Sequence, residues 1–178
     1  MSYTRLDQTT PQDWAVIRAA DKVHLDVFPD FLRRSLLTLD GYEGFPISRL
    51  QHCLQTATRA HRDGAPEEKV AVALLHDIGD VFSPANHAEV AAAILRPYVS
   101  DTSYRILRHH TAFQLRYYGN QVGADPNARE KFRGQPWFDE AAAFCERWDN
   151  PSFDPGYPSL PLSFFEPLIV RLFSSPKA

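Results

Sequence analysis

Apolar residues recur along most of this chain at spacings of three and four, the period of helices that turn one face inward. The pattern predicts a helix over 11–22, with Pro11 suited to its first turn, and a second over 29–39 that ends before Gly41. "ISRLQHCLQTATRAHRDG" reads as a helix with a Ser48/Gln51 capping box and Gly64 as its stop. Pro66 opens the next helix, which runs through the apolar part of "AVALLHDIGD" to Asp77. "NHAEVAAAILRPY" carries a second capping box, Asn86 with Glu89, and Pro97 near its end. Asp101 is expected to cap "TSYRILRHHTAFQLRYY". Residues 119–136 read as an ordered excursion, "WFDEAAAFCERWD" as helical, "SFDPGYPSLP" as a Pro-rich loop and "LSFFEPLIVRLF" as a closing helix. No convincing period-2 run is found. The expectation is one all-α domain over 1–178, a helical bundle with N-terminal helices in 11–40, a motif core over about 42–150 and a closing helix over 161–174.

The same periodicity sorts the polar residues. His110 shares a stripe with Ile106, Phe113 and Tyr117, whereas His109 lies with Arg105, Ala112 and Arg116, so His110 is expected inside and His109 in solvent. His87 begins a stripe with Val90, Ala91, Ile94 and Tyr98. Asp149 follows Phe138, Ala142 and Cys145 at helical spacing. His52 shares a side with the small residues Ser48, Thr56 and Ala60, which would let another helix approach closely. One inward histidine is ordinarily a hydrogen-bonded core residue. Six inward groups, His52, His76, Asp77, His87, His110 and Asp149, are a different matter, because each buried polar group costs kcal/mol unless satisfied. A metal centre satisfies them together. Imidazole and carboxylate donors suit iron, manganese, zinc, cobalt or nickel.

Length and charge narrow the classes. At 178 residues the chain fits one domain and needs no disulfide staple. Cys53 and Cys145 have no metal-ligand spacing, and a reducing cytoplasm is the expected location. A net charge of −3 without a Lys/Arg block argues against nucleic acid. "MSYTRLDQTT" has no apolar signal core, "VAVALL" is too short to span a bilayer, and no obligate protein partner is evident.

His52, followed 24 residues later by His76-Asp77 and closed by a late Asp149, resembles the HD-domain superfamily of metal-dependent phosphohydrolases. His87 and His110, 23 residues apart, resemble the signature of its dinuclear branches. "SRLQHCLQTA", "ALLHDIGD", "NHAEVAAAILRPYVS" and "RHHTAFQ" are similar to the small HD-type diiron oxygenases, among them the phosphonate-cleaving oxygenases and, more distantly, myo-inositol oxygenase. The resemblance covers roughly 42–174. It implies an HD-type bundle in which one metal is held by His52, His76, Asp77 and Asp149, and a second by His87 and His110, with Asp77 bridging. Asp77 and His76 are then the residues at the catalytic heart. The implied cofactor is a mixed-valent Fe(II)/Fe(III) pair, and the implied partners are O2 and a small-molecule substrate.

Against that pattern, Tyr42 sits ten residues before His52, where the phosphonate oxygenases carry a tyrosine that guards the site. Phe45 replaces a glutamate, Asp80 stands where His or Lys is frequent, and Gln114 stands where a phosphonate-binding Lys is expected. The departures point away from a phosphonate and toward a hydroxylated or amine-bearing metabolite, with Tyr42, Asp80 and Gln114 as substrate-binding candidates. The expected activity is O2-dependent C–H abstraction and oxidative cleavage. The alternative is HD-type hydrolysis of a nucleotide or other phosphate ester, which lacks a Lys/Arg cluster near the motifs. A degenerate binding module would have lost ligands, and all six are in place.

Overall fold

Helices form where the stripes predict them, and local chemistry sets their ends. The computed structural model describes residues 2–41 and 44–177; among these are eight α-helices and no strand. Tyr42 lies outside the described residues. Thr10 caps α1 (Pro11–Asp26) through a reciprocal box with Asp13, and this helix runs four residues past the expected end. After α2 (Phe28–Thr38) comes α3 (Arg49–Arg62), whose Ser48 cap accepts from the Gln51 N–H as expected. Gly64, with φ of 72°, provides the left-handed turn that stops α3.

Three further boundaries differ from expectation. Helix α4 (Glu67–Leu75) ends before His76, so His76 and Asp77 lie in the bend leading to a 3-10 turn, Ile78–Val81. Asn86 does not cap α5 (His87–Leu95): it closes a 3-10 turn with φ of −140°, and its side chain makes no cap bond. The cap of α6 (Asp101–Tyr118) is Ser100, which accepts from the Ser103 N–H, and Asp101 is already helical. The excursion consists of two 3-10 turns, Gly119–Val122 and Ala128–Phe132. Past α7 (Phe138–Phe144) the chain widens into a π-turn, Cys145–Asp149, marked by the Asn150 N–H donating to the Cys145 carbonyl at 2.9 Å.

The core lies where α3 packs on α4 and α5 packs on α6, with α7 against α6 and α8 (Leu162–Phe173) across α2 and α4. Leu74, Leu75, Ile106, Phe113, Phe144 and Phe173 are fully enclosed there. Each stabilises the fold by roughly 1.5–3 kcal/mol of apolar burial. Thr56 and Ala60 are wholly buried on the α3 face that meets its neighbours, so the small-residue side of His52 does permit close approach. Helix α1 buries no residue of its own. No helix among the described residues is long and apolar enough to cross a membrane.

Candidate metal centre

Helix ends and bends deliver the polar groups. The first turn of α3 carries His52, the bend after α4 carries His76 and Asp77, the first residue of α5 is His87, α6 carries His110, and the π-turn carries Asp149. All but His87 are at most 3% exposed. The extra residue of the π-turn re-aims Asp149 inward, a common use of such turns at functional sites. A close backbone approach fixes the rest: a Cβ on Gly79 would sit 2.0 Å from the His87 carbonyl oxygen. Only glycine lets the turn carrying Asp77 and Asp80 lie against the start of α5.

The six side chains converge. His52 Nε2 is 3.0 Å from His76 Nε2 and 3.2 Å from Asp149 Oδ1. His87 Nε2 is 3.3 Å from His110 Nε2. Asp77 stands between the pairs: Oδ1 is 3.3 Å from the Nε2 atoms of both His87 and His110, and Oδ2 is 3.6 Å from His52 Nε2. Two overlapping donor groups, His52–His76–Asp149 and His76–Asp77–His110, each have all donor atoms within 4.8 Å of one another.

The far side of each ring decides what the near side can be. His52 Nδ1 donates to the Ser152 carbonyl at 2.8 Å, His76 Nδ1 to Ala73 at 2.9 Å, His110 Nδ1 to Leu107 at 2.7 Å and His87 Nδ1 to Pro84 at 3.1 Å. A carbonyl only accepts, so each Nδ1 carries the proton and a neutral ring presents a lone pair at Nε2. Lone pairs then face each other at 3.0 and 3.3 Å. A cation between them turns that repulsion into ligation. Metal–nitrogen bonds of about 2.0–2.1 Å put neighbouring ligand atoms about 3.0–3.4 Å apart, matching these separations. The donor set therefore fits metal.

The electrostatics agree. Burial disfavours charge on His52 and His76, yet Asp149 and Asp77 outweigh it and hold both imidazoles above their ordinary value. Burial likewise works against the carboxylates, but the neighbouring histidines, His76 foremost, hold Asp77 and Asp149 well below the usual range. This pocket stabilises positive charge.

Other expectations fare differently. His110 faces the centre, but His109 is not in solvent: it is half-buried, stacked on Trp137 and tilted against Phe132 of the excursion. Burial and the cations Arg108, Arg105 and Lys131 push its pKa down to about 4. Gln114 is buried one turn beyond His110 on the same face of α6. Asp80 turns toward the protein, with Oδ2 2.9 Å from Arg49 Nε and Oδ1 3.3 Å from His87 Nδ1.

Several neighbours escaped sequence reasoning. Arg49, three residues before His52 on α3, reaches Asp77 Oδ2 at 3.1 Å; that spacing was its available signal. Phe153 stacks on the His52 ring with centroids 4.3 Å apart. Tyr118 follows His110 and Gln114 along α6, and burial, then Asp149 and Asp77, raise its phenol pKa. The Cys145 thiol points at Asp149 Oδ2, 3.8 Å away. Nothing in the Pro-rich segment marked Ser152 and Phe153 beforehand, since one acts through its carbonyl and the other through loop position.

The fold and the donors define an all-helical protein with a buried His/Asp cluster fit to hold metal. No family model matches the chain. Among curated proteins it is similar to a 1-hydroxy-2-(trimethylamino)ethylphosphonate dioxygenase (glycine-betaine-forming) of Leisingera caerulea, at 31% identity, the match covering 62% of this chain and 65% of the relative. This chain thus spans slightly less than two thirds of the relative's length.

Proposed function

We propose that this protein is a dinuclear HD-type oxygenase, using an iron pair and O2 to oxidise a small hydroxylated or amine-bearing metabolite. In this reading His52, His76, Asp77 and Asp149 hold one metal and His87 and His110 hold the other, with Asp77 shared. The observation that carries it is the convergence of four imidazole Nε2 atoms, each backed by a carbonyl at Nδ1, on two buried carboxylates. The oxygenase direction is supported by the dioxygenase relative, whose named substrate contains a hydroxyl, a trimethylamino group and a phosphonate.

When bound, such a metal pair supplies dioxygen activation and C–H abstraction. The chain's own residues supply orientation and dryness. The Nδ1 bonds fix each imidazole's tautomer and direction, and Phe153 covers His52. A cavity of about 590 Å³ lies beside the centre, lined by Thr38, Leu39, Arg49, Asp80, Val81 and Pro84. Its cation, Arg49, is shared between Asp77 and Asp80, which supports a substrate that does not depend on strong phosphonate binding. Gln114 and Tyr118, along the His110 side of α6, complete the set of candidate substrate contacts.

The test is to load the protein anaerobically with iron, oxidise it partially, and record low-temperature EPR alongside O2 uptake with a panel of small hydroxylated amines. A coupled Fe(II)/Fe(III) signal and substrate-dependent O2 uptake are expected. A single metal with phosphate release from model esters and no O2 uptake would overturn this reading in favour of hydrolysis.

A further inference from the structure

We infer that Asp80 and Arg49 are positioning residues that set the affinity of the His87 half of the centre for its metal; the inference rests on the dinuclear reading above. Four side chains close a ring. Asp77 Oδ2 meets Arg49 Nη1 at 3.1 Å, Arg49 Nε meets Asp80 Oδ2 at 2.9 Å, Asp80 Oδ1 meets His87 Nδ1 at 3.3 Å, and His87 Nε2 returns to Asp77 Oδ1 at 3.3 Å. The Asp80 side chain is 7% exposed and that of Arg49 20% exposed, with the guanidinium 5.0 Å over the Phe45 ring.

His87 is the donor that needs this support. Its side chain is 18% exposed, against 1–4% for the other five. It begins a helix whose N-cap residue makes no side-chain bond, and its Nδ1–carbonyl contact is the longest of the four. A carboxylate at the distal nitrogen fixes ring orientation and raises ligand basicity. Arg49 serves both carboxylates at once through two edges of its planar fork, which a lysine ammonium does not reproduce. It points Asp80 at His87 and holds one Asp77 oxygen while the other faces His87 and His110. Asp80 thus works behind a ligand, where the sequence pattern had pointed to contact with substrate.

The experiment titrates the full chain anaerobically with Fe(II) and measures metal equivalents and the affinity of each, for wild type, D80A, D80N, R49Q and R49K. Wild type should take two equivalents. In D80A the first should be unchanged and the second about 10–100-fold weaker, the usual effect of losing such a partner; R49Q should weaken the second as much and, because it also frees the Asp77 oxygen that faces His52, the first to a smaller degree. D80N, which keeps an acceptor for His87, and R49K, which keeps charge, should be intermediate. They carry the same comparison should D80A fold poorly. A D80A protein that holds two equivalents with wild-type affinity overturns this inference and leaves the dinuclear reading standing. A wild-type protein that holds fewer than two overturns both.

Discussion

His52 and His87 approach the same carboxylate, at 3.6 and 3.3 Å, through different oxygens of Asp77, yet their supports differ in kind. His52 sits in the first turn of α3, behind a Ser48 side-chain cap, and its Nδ1 partner belongs to a loop fastened to that same helix. Gln55 donates to the Asp154 carbonyl at 2.7 Å, Arg59 to Pro151 at 2.9 Å and Arg62 to Pro158 at 2.8 Å, while Thr58 Oγ1 accepts from the Leu160 N–H at 2.9 Å. His87 sits at a helix start, after 3-10 turns, and leans on Pro84 and Asp80. The deep half is braced by backbone and many contacts. The shallow half is braced by a few side chains and one glycine. Substitutions around His87 should therefore remove metal while sparing the fold, whereas those around His52 should perturb both.

The largest effect should come from Asp77, the group common to both halves: Asp77→Ala is expected to lose both metals by elemental analysis, and retention of two would refute its bridging role. Gly79→Ala should come next. Its Cβ has no space against the His87 carbonyl, so the backbone must move, costing about 2 kcal/mol or more by denaturant unfolding together with the second metal equivalent. At His110→Ala one equivalent should go, while His109→Ala keeps two; equal metal content in that pair would show the assignment of α6 faces to be wrong. Cys145→Ala removes weak S–H contacts to the His110 carbonyl and to Asp149 at a buried site, and should cost about 1–2 kcal/mol with both metals retained.

The smallest effect is remote from the centre and depends on pH. Glu68 ties α4 to the start of α6, accepting from the Ser100 N–H at 3.0 Å and from the Ser100 and Ser103 hydroxyls at 2.5 Å, and pairing with Lys177 at 2.5 Å. Burial works to raise its carboxyl, but Lys177, Ser100 and Ser103 outweigh burial and hold it at about 2, below the ordinary 4.5. A depressed carboxyl stabilises the fold above its unfolded value and loses that contribution as pH falls. Wild type should exceed Glu68→Gln at pH 7 by about 1 kcal/mol, or about 2–4 °C in Tm for a chain this size. The gap should close as pH drops from about 4.5 toward 2. A gap that is constant across that range would assign the stabilisation to shape rather than charge.

Much of the fold was legible because helical stripes report which face is buried, and this chain is helical throughout its described core. The stripes also separated His110 from His109 and turned Asp149 inward. They could not see the excursion over 119–136 folding back to cover His109, which is a tertiary event. Local motifs also misled. Asn86 with Glu89 matches a capping box in letters, but the preceding 3-10 turn sets a backbone in which the Asn86 side chain makes no cap bond. Asp80 is a substrate candidate because it stands where His or Lys is frequent, and its contact with Arg49, 31 positions earlier on another helix, leaves no local signal. The Ser152 carbonyl left no trace in sequence, since any residue supplies one.

The most direct measurement of the central claim is anomalous X-ray scattering at the iron edge from crystals of the iron-loaded protein. Two peaks are predicted, one bounded by His52, His76, Asp77 and Asp149 and the other by Asp77, His87 and His110. A single peak, or a second one that does not touch Asp77, would contradict the account.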